Sequence, residues 1–413
     1  MATQKIFLSA GEASGDHYGS LLIEALRRLA PQAEFFGLGG PQMERAGQRR
    51  IIRAEDVAVM GFTEVVAHLP RIYARYRKLT ASLRRERPTL AILIDFPDVN
   101  LRLAEQLHRI HTPVVYFVSP QLWAWKQRRI ARVKRFVDRM LVIFPFEESF
   151  YRERGIAADF VGHPLAEMEP PRIAREAFAR ENRLDSSKPW IGLLPGSRKK
   201  ELQANLPPML EAAHQLGSKY EFLLPVAPTL QDSDAEAALH RSLRGAAPPS
   251  GMRQAPSRPV VRLVRDARAA LFHARASVVA SGTATVEAAI LGNPFLVVYR
   301  VSPLTHAVAR RMIDVPHVGM VNLIAGSRIV PELIQSGFTA SNIVHNLEPL
   351  LEEGPARATM QSDLKAVAAA LRRGSSLTDR TAIERAADIA LGLVDEPERS
   401  ELSVAPVEER PCP

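Results

Sequence analysis

The feature that most constrains this chain is an alternation of short buried-looking runs with helical stretches. Apolar segments recur at KIFLSAG (5–11), AEFFGLGG (33–40), LAILIDF (90–96), PVVYFVSP (113–120), RMLVIFPF (139–146) and ADFVGHP (158–164). Between most of them lie stretches with apolar residues at helical spacing, such as SLLIEALRRLA (20–30). Near-continuous apolar strands alternating with helices point to a parallel sheet covered by helices on both faces. The pattern then breaks: Met168 to Asp185 is charged and punctuated by proline, with no strand signal. It restarts at WIGLLPGS (190–197), YEFLLPV (220–226), PVVRLVR (259–265), SVVASGT (277–283) and PFLVVYR (294–300). A chain of 413 residues exceeds the roughly 250–300 residues over which one core grows.

The expected architecture is therefore α/β, with two doubly wound, Rossmann-like domains facing a cleft. Residues 1–168 form the first and 169–365 the second, with helices over 366–394 packing back on the body and a disordered tail at 395–413. GAAPPSGMRQAPSRP (245–259) reads as a flexible surface insertion. The single cysteine, Cys412, leaves no basis for a disulfide framework or a cysteine metal cluster. No apolar run approaches the roughly 20 residues of a membrane span, and the N-terminus lacks a signal-peptide core. The expectation is a cytoplasmic protein.

Ligands of such sheets bind outside the carboxyl ends of the strands, and the chemistry-bearing residues collect there. LAILIDFPDVN (90–100) opens as an unbroken apolar strand and closes with Asp95, Asp98 and Asn100 around a proline. The first strand runs into SAGEASGDHYG (9–19), with Glu12, Ser14 and Asp16 among Gly11, Gly15 and Gly19. GLGG is no full GxGxxG, and no GxxxxGK[ST] is present, so neither a dinucleotide fingerprint nor a P-loop is expected. Gly196, Ser197 and Arg198 mark a strand-to-helix junction where backbone N–H groups, the helix dipole and a guanidinium favour an anion. A second such turn, Ser281–Gly282–Thr283–Ala284–Thr285, leads into a helix carrying Glu287, which could accept from ribose hydroxyls. Two anion-ready turns without a Walker lysine would hold a diphosphate without metal. The alternative is that these are ordinary turns and helix caps.

The net charge is +9, which implies an acidic partner. Arg71 to Arg87 holds seven Lys or Arg against one Glu, and Lys126 to Arg139 holds seven against one Asp. The first cluster follows an apolar stripe, Val65, Val66, Leu69 and Ile72, with Tyr73 and Tyr76 beyond. That arrangement suits a helix lying in the interface of an anionic membrane; solvated helix faces are the plainer reading.

Taken together and in order, AGEASGD, GLGGPQM, FPDVN, YFVSPQLWAW, FVGHPL, LLPGSRKKE, SGTATVEAA and VNLIAGSRIVPELIQ resemble the lipid-A-disaccharide synthases, bacterial glycosyltransferases of GT-B type. The resemblance runs from about Lys5 to Gln335. It departs at the 245–259 insertion, in the long tail, and at Val99, where the family usually has Phe. It implies an inverting transfer of 2,3-diacylglucosamine from UDP-2,3-diacylglucosamine to 2,3-diacylglucosamine 1-phosphate (lipid X), at the cytoplasmic face of the inner membrane. No cofactor is expected, and the lack of a DxD-type motif in a plausible position leads to the expectation of no metal. A homodimer is compatible with it.

Inversion needs a base for the attacking hydroxyl, and Asp98 is the expected one. Asp95 would orient the loop, with one carboxylate's pKa raised by the other's charge, and Asn100 would hold an acceptor hydroxyl. Glu12 and Asp16 are the rival bases. The resemblance places Asn322 near the nucleotide sugar, with Glu201 and Arg328 on the same wall. His163 reads as a structural hydrogen bonder, and Trp123 and Trp125 read as core. Two other classes remain open: a GT-B relative such as a UDP-N-acetylglucosamine 2-epimerase or another lipid-linked glucosaminyl transferase, and a basic nucleic-acid binder. The second lacks any recognition motif, and no nucleic acid is expected.

Overall fold

Every apolar run named above becomes a strand. A computed structural model of the chain describes residues 4–58, 65–227, 230–245, 259–301, 315–372 and 380–395. In the first unit the strands are β1 (Lys5–Ala10), β2 (Glu34–Gly39), β3 (Gln48–Arg53), β4 (Leu90–Ile94), β5 (Val114–Phe117), β6 (Arg139–Val142) and β7 (Ala158–Phe160). They form one parallel sheet in the order β3-β2-β1-β4-β5-β6-β7. The helices are α1 (Ala13–Leu29), α2 (Pro41–Arg45), α3 (Glu55–Ala58), α4 (Val65–Glu86), α5 (Pro97–Arg109), α6 (Ile130–Phe136) and α7 (Pro145–Arg152). Phe7, Ala91, Leu93, Val114 and Tyr116 are at most 1 % exposed and sit at the centre of this unit's core.

The second unit carries α8 (Arg175–Asn182), β8 (Trp190–Leu194), α9 (Lys199–Leu216), β9 (Glu221–Pro225), α10 (Asp232–Gly245), β10 (Val260–Val264), α11 (Ala267–His273) and β11 (Ala276–Ala280). Beyond these come α12 (Thr283–Ile290), β12 (Phe295–Tyr299), α13 (Met320–Ala325), β13 (Glu332–Ile334), α14 (Ala340–Leu351) and α15 (Pro355–Arg372). Its sheet is also parallel, in the order β10-β9-β8-β11-β12-β13.

Two strands escape the sequence pattern, and both are edges. β3 reads QRRIIR, because an edge strand buries little and tolerates charge. β13 has three residues, ELI, too few to show periodicity. The chain crosses from the first unit to the second after Pro164, and the last helix, α16 (Ala382–Asp395), returns to the first. The split therefore differs from 168/169, and the C-terminal helices part company. α15 belongs to the second unit, whereas α16 packs on α1 and β4, where Arg385 Nε donates to the Val161 carbonyl (2.9 Å).

The helix expected at the membrane stripe is present as α4. The side chains of residues 57–72 lie outside the described set, and Val65, Val66, Leu69 and Ile72 with them. The 245–259 segment and the 395–413 tail fall almost wholly outside the described residues. Among the described residues no helix is long and apolar enough to cross a membrane.

Candidate active site

In a doubly wound sheet the strand order reverses at one place, where neighbouring crossovers leave in opposite directions and open a crevice. Here that place lies between β1 and β4 in the first unit and between β8 and β11 in the second. The segments after these four strands are the ones singled out above: GEASGD, FPDVN, GSRKKE and SGTATVE.

After β4 the backbone turns through two consecutive left-handed residues, Asp95 (φ 45°) and Phe96 (φ 49°). Such residues cost free energy and persist where the surroundings hold them. The Asp95 carbonyl accepts from the Tyr116 hydroxyl (2.5 Å) and from Asn100 Nδ2 (2.7 Å), and its N–H donates to the Phe117 carbonyl (3.0 Å). The Phe96 ring lies against Gly11, where a Cβ would meet Cδ1 at 2.4 Å. Glycine is therefore required at the end of β1.

Asn100 is fully buried. Its amide donates to the carbonyls of Ser9 (3.2 Å) and Ile94 (3.1 Å) besides that of Asp95, and its Oδ1 accepts from Ser9 Oγ (2.6 Å). The expectation that Asn100 holds an acceptor hydroxyl is corrected: its amide ties the ends of β1 and β4 together. Asp16 is corrected likewise. It is buried, and its carboxylate accepts from the backbone N–H groups of Gly40 (2.9 Å), Gln42 (3.0 Å) and Met43 (3.0 Å), capping α2.

Three carboxylates remain at this crevice. Asp98 stands in the first turn of α5 with its side chain 70 % exposed, and it accepts from the Arg129 guanidinium. Glu12 is exposed at the N-cap of α1. Asp95 is partly buried, and burial first and the Glu12 charge second push its pKa up to about 6. A like charge was expected to raise one of the pair Asp95 and Asp98; the structure puts Glu12 in that role instead.

In the second unit Gly196 has φ +119°, and a Cβ there would meet Glu201 Oε2 at 2.4 Å. That carboxylate accepts from the N–H groups of Ser197 (3.0 Å) and Arg198 (3.3 Å). The donors that looked free for an anion are thus occupied by an internal one, and Glu201 is a helix cap. The Arg198 side chain remains 72 % exposed. Ser281 links two segments, its N–H donating to the Val298 carbonyl (2.9 Å) and its Oγ to the Val318 carbonyl (3.2 Å).

Gly282 and Thr283 are exposed, Ala284 is half-buried, and the buried Thr285 hydroxyl donates to the Gly282 carbonyl (2.7 Å). Glu287 lies 3.7 Å from the Arg268 guanidinium. Asn322 is fully buried. Its Nδ2 donates to the Val330 carbonyl (2.9 Å) and Glu332 Oε1 (2.8 Å), while its Oδ1 accepts from the N–H groups of Ile329 (2.9 Å) and Val330 (3.0 Å). Direct contact of Asn322 with a nucleotide sugar gives way to a structural role. Arg328 is exposed and donates to the Glu332 carbonyl (3.1 Å).

His163 is buried against the rings of Tyr18 and Phe144, and burial holds its pKa down to about 3, so it stays neutral. The two tryptophans of QLWAW separate. Trp123 is core as expected, packed edge-on against Phe146, with Nε1 donating to Glu147 Oε1 (3.0 Å). Burial pushes Glu147 up to about 7; no sequence signal marked it. Trp125, also expected in the core, is 43 % exposed and lies under the Lys126 ammonium, 4.0 Å from the ring centroid.

The family described as lipid-A-disaccharide synthetase matches residues 6–386. A lipid-A-disaccharide synthase of Acidobacterium capsulatum is 60 % identical over 377 residues, covering 91 % of this chain and 94 % of the relative. Among solved structures, the glycosyltransferase of kitacinnamycin aligns with a TM-score of 0.60 at 13 % identity, over 95 % of this chain and all of that one. The UDP-GlcNAc 2-epimerase of Neisseria meningitidis gives 0.55 at 12 %, over 95 % and 99 %. These structural likenesses show the two-domain glycosyltransferase fold, and that fold alone does not separate transferase from epimerase. The sequence match does.

Proposed function

The chain belongs to the lipid-A-disaccharide synthetase family, and from that footing we propose how its residues divide the work. The reaction is that of a glycosyltransferase. It moves 2,3-diacylglucosamine from its UDP carrier to the 6-hydroxyl of lipid X and makes the β-1′,6-linked lipid A disaccharide phosphate. The 6-oxygen forms a bond to the donor's anomeric carbon, the bond from that carbon to the diphosphate breaks, and UDP leaves with the electron pair. The hydroxyl proton needs a base.

Asp98 is that base in our reading. The observation that carries it is the different engagement of the carboxylates around the first crevice. Asp16 is saturated by three backbone N–H groups, and Asp95 is sunk in a strained turn. Asp98 projects into solvent, met by the Arg129 side chain. Arg198 and the Ser281–Thr285 turn receive the diphosphate, where negative charge grows as the bond breaks. The exposure of the Arg198 guanidinium, Gly282 and Thr283 at the second crevice supports this. The basic outer face of α4, with Arg77, Lys78 and Arg84 lining a recess of about 430 Å³, would rest on the anionic cytoplasmic face of the inner membrane.

The test is a transfer assay with UDP-2,3-diacylglucosamine and lipid X in detergent. Asp98→Asn is expected to lower kcat by about 10²–10⁴-fold, with both KM values within a few-fold and the melting temperature unchanged. Full activity of Asp98→Asn, with the loss appearing in Glu12→Gln instead, moves the base to Glu12.

A further inference from the structure

Two tryptophans, two residues apart in one loop, have opposite fates, and the loop is built to keep them so. Ser119 Oγ is bonded to the buried Tyr151 hydroxyl (2.8 Å), and Trp123 is bolted to the buried Glu147 carboxylate. The backbone closes on itself, with the N–H groups of Ala124 (3.1 Å) and Trp125 (3.2 Å) both donating to the Gln121 carbonyl. The next residue, Lys126, takes a left-handed conformation (φ 54°) that a lysine adopts only when its surroundings impose it. The result is an exposed indole with an ammonium 4.0 Å above its ring.

Three residues further on, Arg129 reaches Asp98, and its N–H donates to the Lys126 carbonyl (2.9 Å). The loop thus joins the Lys126–Trp125 pair to the Asp98 carboxylate through one turn of backbone. Three cations of this segment are answered by carboxylates, Arg129 by Asp98, Arg132 by Glu105 and Arg139 by Asp159, while Arg135 lies over the Phe136 ring and, among the described residues, Lys134 makes no ion pair. Among the described residues Lys126 and Arg128 make no ion pair.

We infer that Lys126, held over Trp125, binds the phosphomonoester of the acceptor. This rests on the reading that Asp98 serves the acceptor's hydroxyl. A phosphomonoester carries a charge of about −1.5 to −2 at neutral pH and is recognised by donors that bear full charge. An unpaired ammonium fixed by an aromatic platform meets that need at one site. The indole beneath it offers an apolar surface to a substrate that bears acyl chains beside its phosphate.

The experiment compares lipid X with the same diacylglucosamine lacking its phosphate, as acceptors for wild-type protein, Lys126→Ala and Lys126→Arg. The expected result is that wild type prefers the phosphorylated acceptor by at least 10-fold in kcat/KM. Lys126→Ala should lose most of that preference through the KM for lipid X, and Lys126→Arg should keep it. The KM for the UDP donor should stay unchanged. A preference that survives in Lys126→Ala overturns the inference, as does an equal loss on both acceptors.

A parallel arm measures binding to vesicles of phosphatidylglycerol and phosphatidylethanolamine. Lost vesicle binding with the acceptor preference intact makes the patch a membrane contact and also overturns it. Failure of the wild type to form disaccharide from lipid X would instead sink the underlying reading of the reaction.

Discussion

Replacing Asp95 by asparagine should stabilise the protein, and only above a certain pH. Asparagine is among the few residues that tolerate the left-handed conformation found at 95. It has nearly the same shape and can accept the same hydrogen bond from the Phe96 N–H, so the main change is loss of charge. In the folded protein the Asp95 pKa stands at about 6, against an ordinary value of 3.8. At about 1.4 kcal/mol per unit, two units amount to about 3 kcal/mol. Asp95 is only partly buried, and solvent screening brings this to roughly 2 kcal/mol.

The direction follows from which state holds the proton. Below about pH 4 folded and unfolded chains are both protonated, and the charge has no effect. Between about 4 and 6 the unfolded chain releases the proton while the folded one keeps it, so wild-type stability falls as pH rises. Above about 6 the full cost is present. Thermal unfolding of wild type and Asp95→Asn should therefore coincide near pH 4. They should separate to roughly 4–8 °C at pH 7.5 in the transition of the first unit, at about 2–4 °C per kcal/mol for a unit of this size. Because Glu12 is the second contributor, Glu12→Gln should narrow the gap. A gap that does not change with pH would falsify the reasoning, and so would one that widens in favour of wild type.

Removal of the Asn100 amide should be as costly as its burial suggests. Asn100→Ala takes a partner from Ser9 Oγ and from three carbonyls, of which that of Asp95 keeps the Tyr116 hydroxyl, and should lower stability by roughly 2–4 kcal/mol; a loss below about 1 kcal/mol in urea unfolding would remove the latch from the account. Gly11→Ala places a methyl in the Phe96 ring. It should cost about 1–3 kcal/mol and depress kcat by displacing the turn that leads into Asp98; an unaltered kcat would separate that turn from the chemistry.

The fold was legible because buried parallel strands announce themselves as apolar runs, and only the edges β3 and β13 could hide. The positions of the candidate turns were legible for the same reason, since they follow strands. What sequence could not tell was the direction in which each side chain points. Asp16, Asn100, Asn322 and Glu201 are polar groups that look chemical in a motif, yet all are spent mainly on backbone partners.

Glu201 could have been read as a cap, since it stands at the third position of a helix that opens in SRKKE. Asp16 and Asn100 depend on segments brought together from distant parts of the chain, and Asn322 on how the loop after it folds back. Trp123 and Trp125 carry the same side chain two residues apart, and only the Glu147 carboxylate, fixed by tertiary structure, decides which one turns inward.

The return of α16 to the first unit has a consequence for how the protein is made. A ribosome releases residues 1–164 long before residue 382, so the α1 surface on which α16 packs waits uncovered while the whole second unit is synthesised. The unit begun first is completed last. Along the sequence the second unit lies within the first, and a cut after 372 does not trim a tail but removes a wall of the first unit.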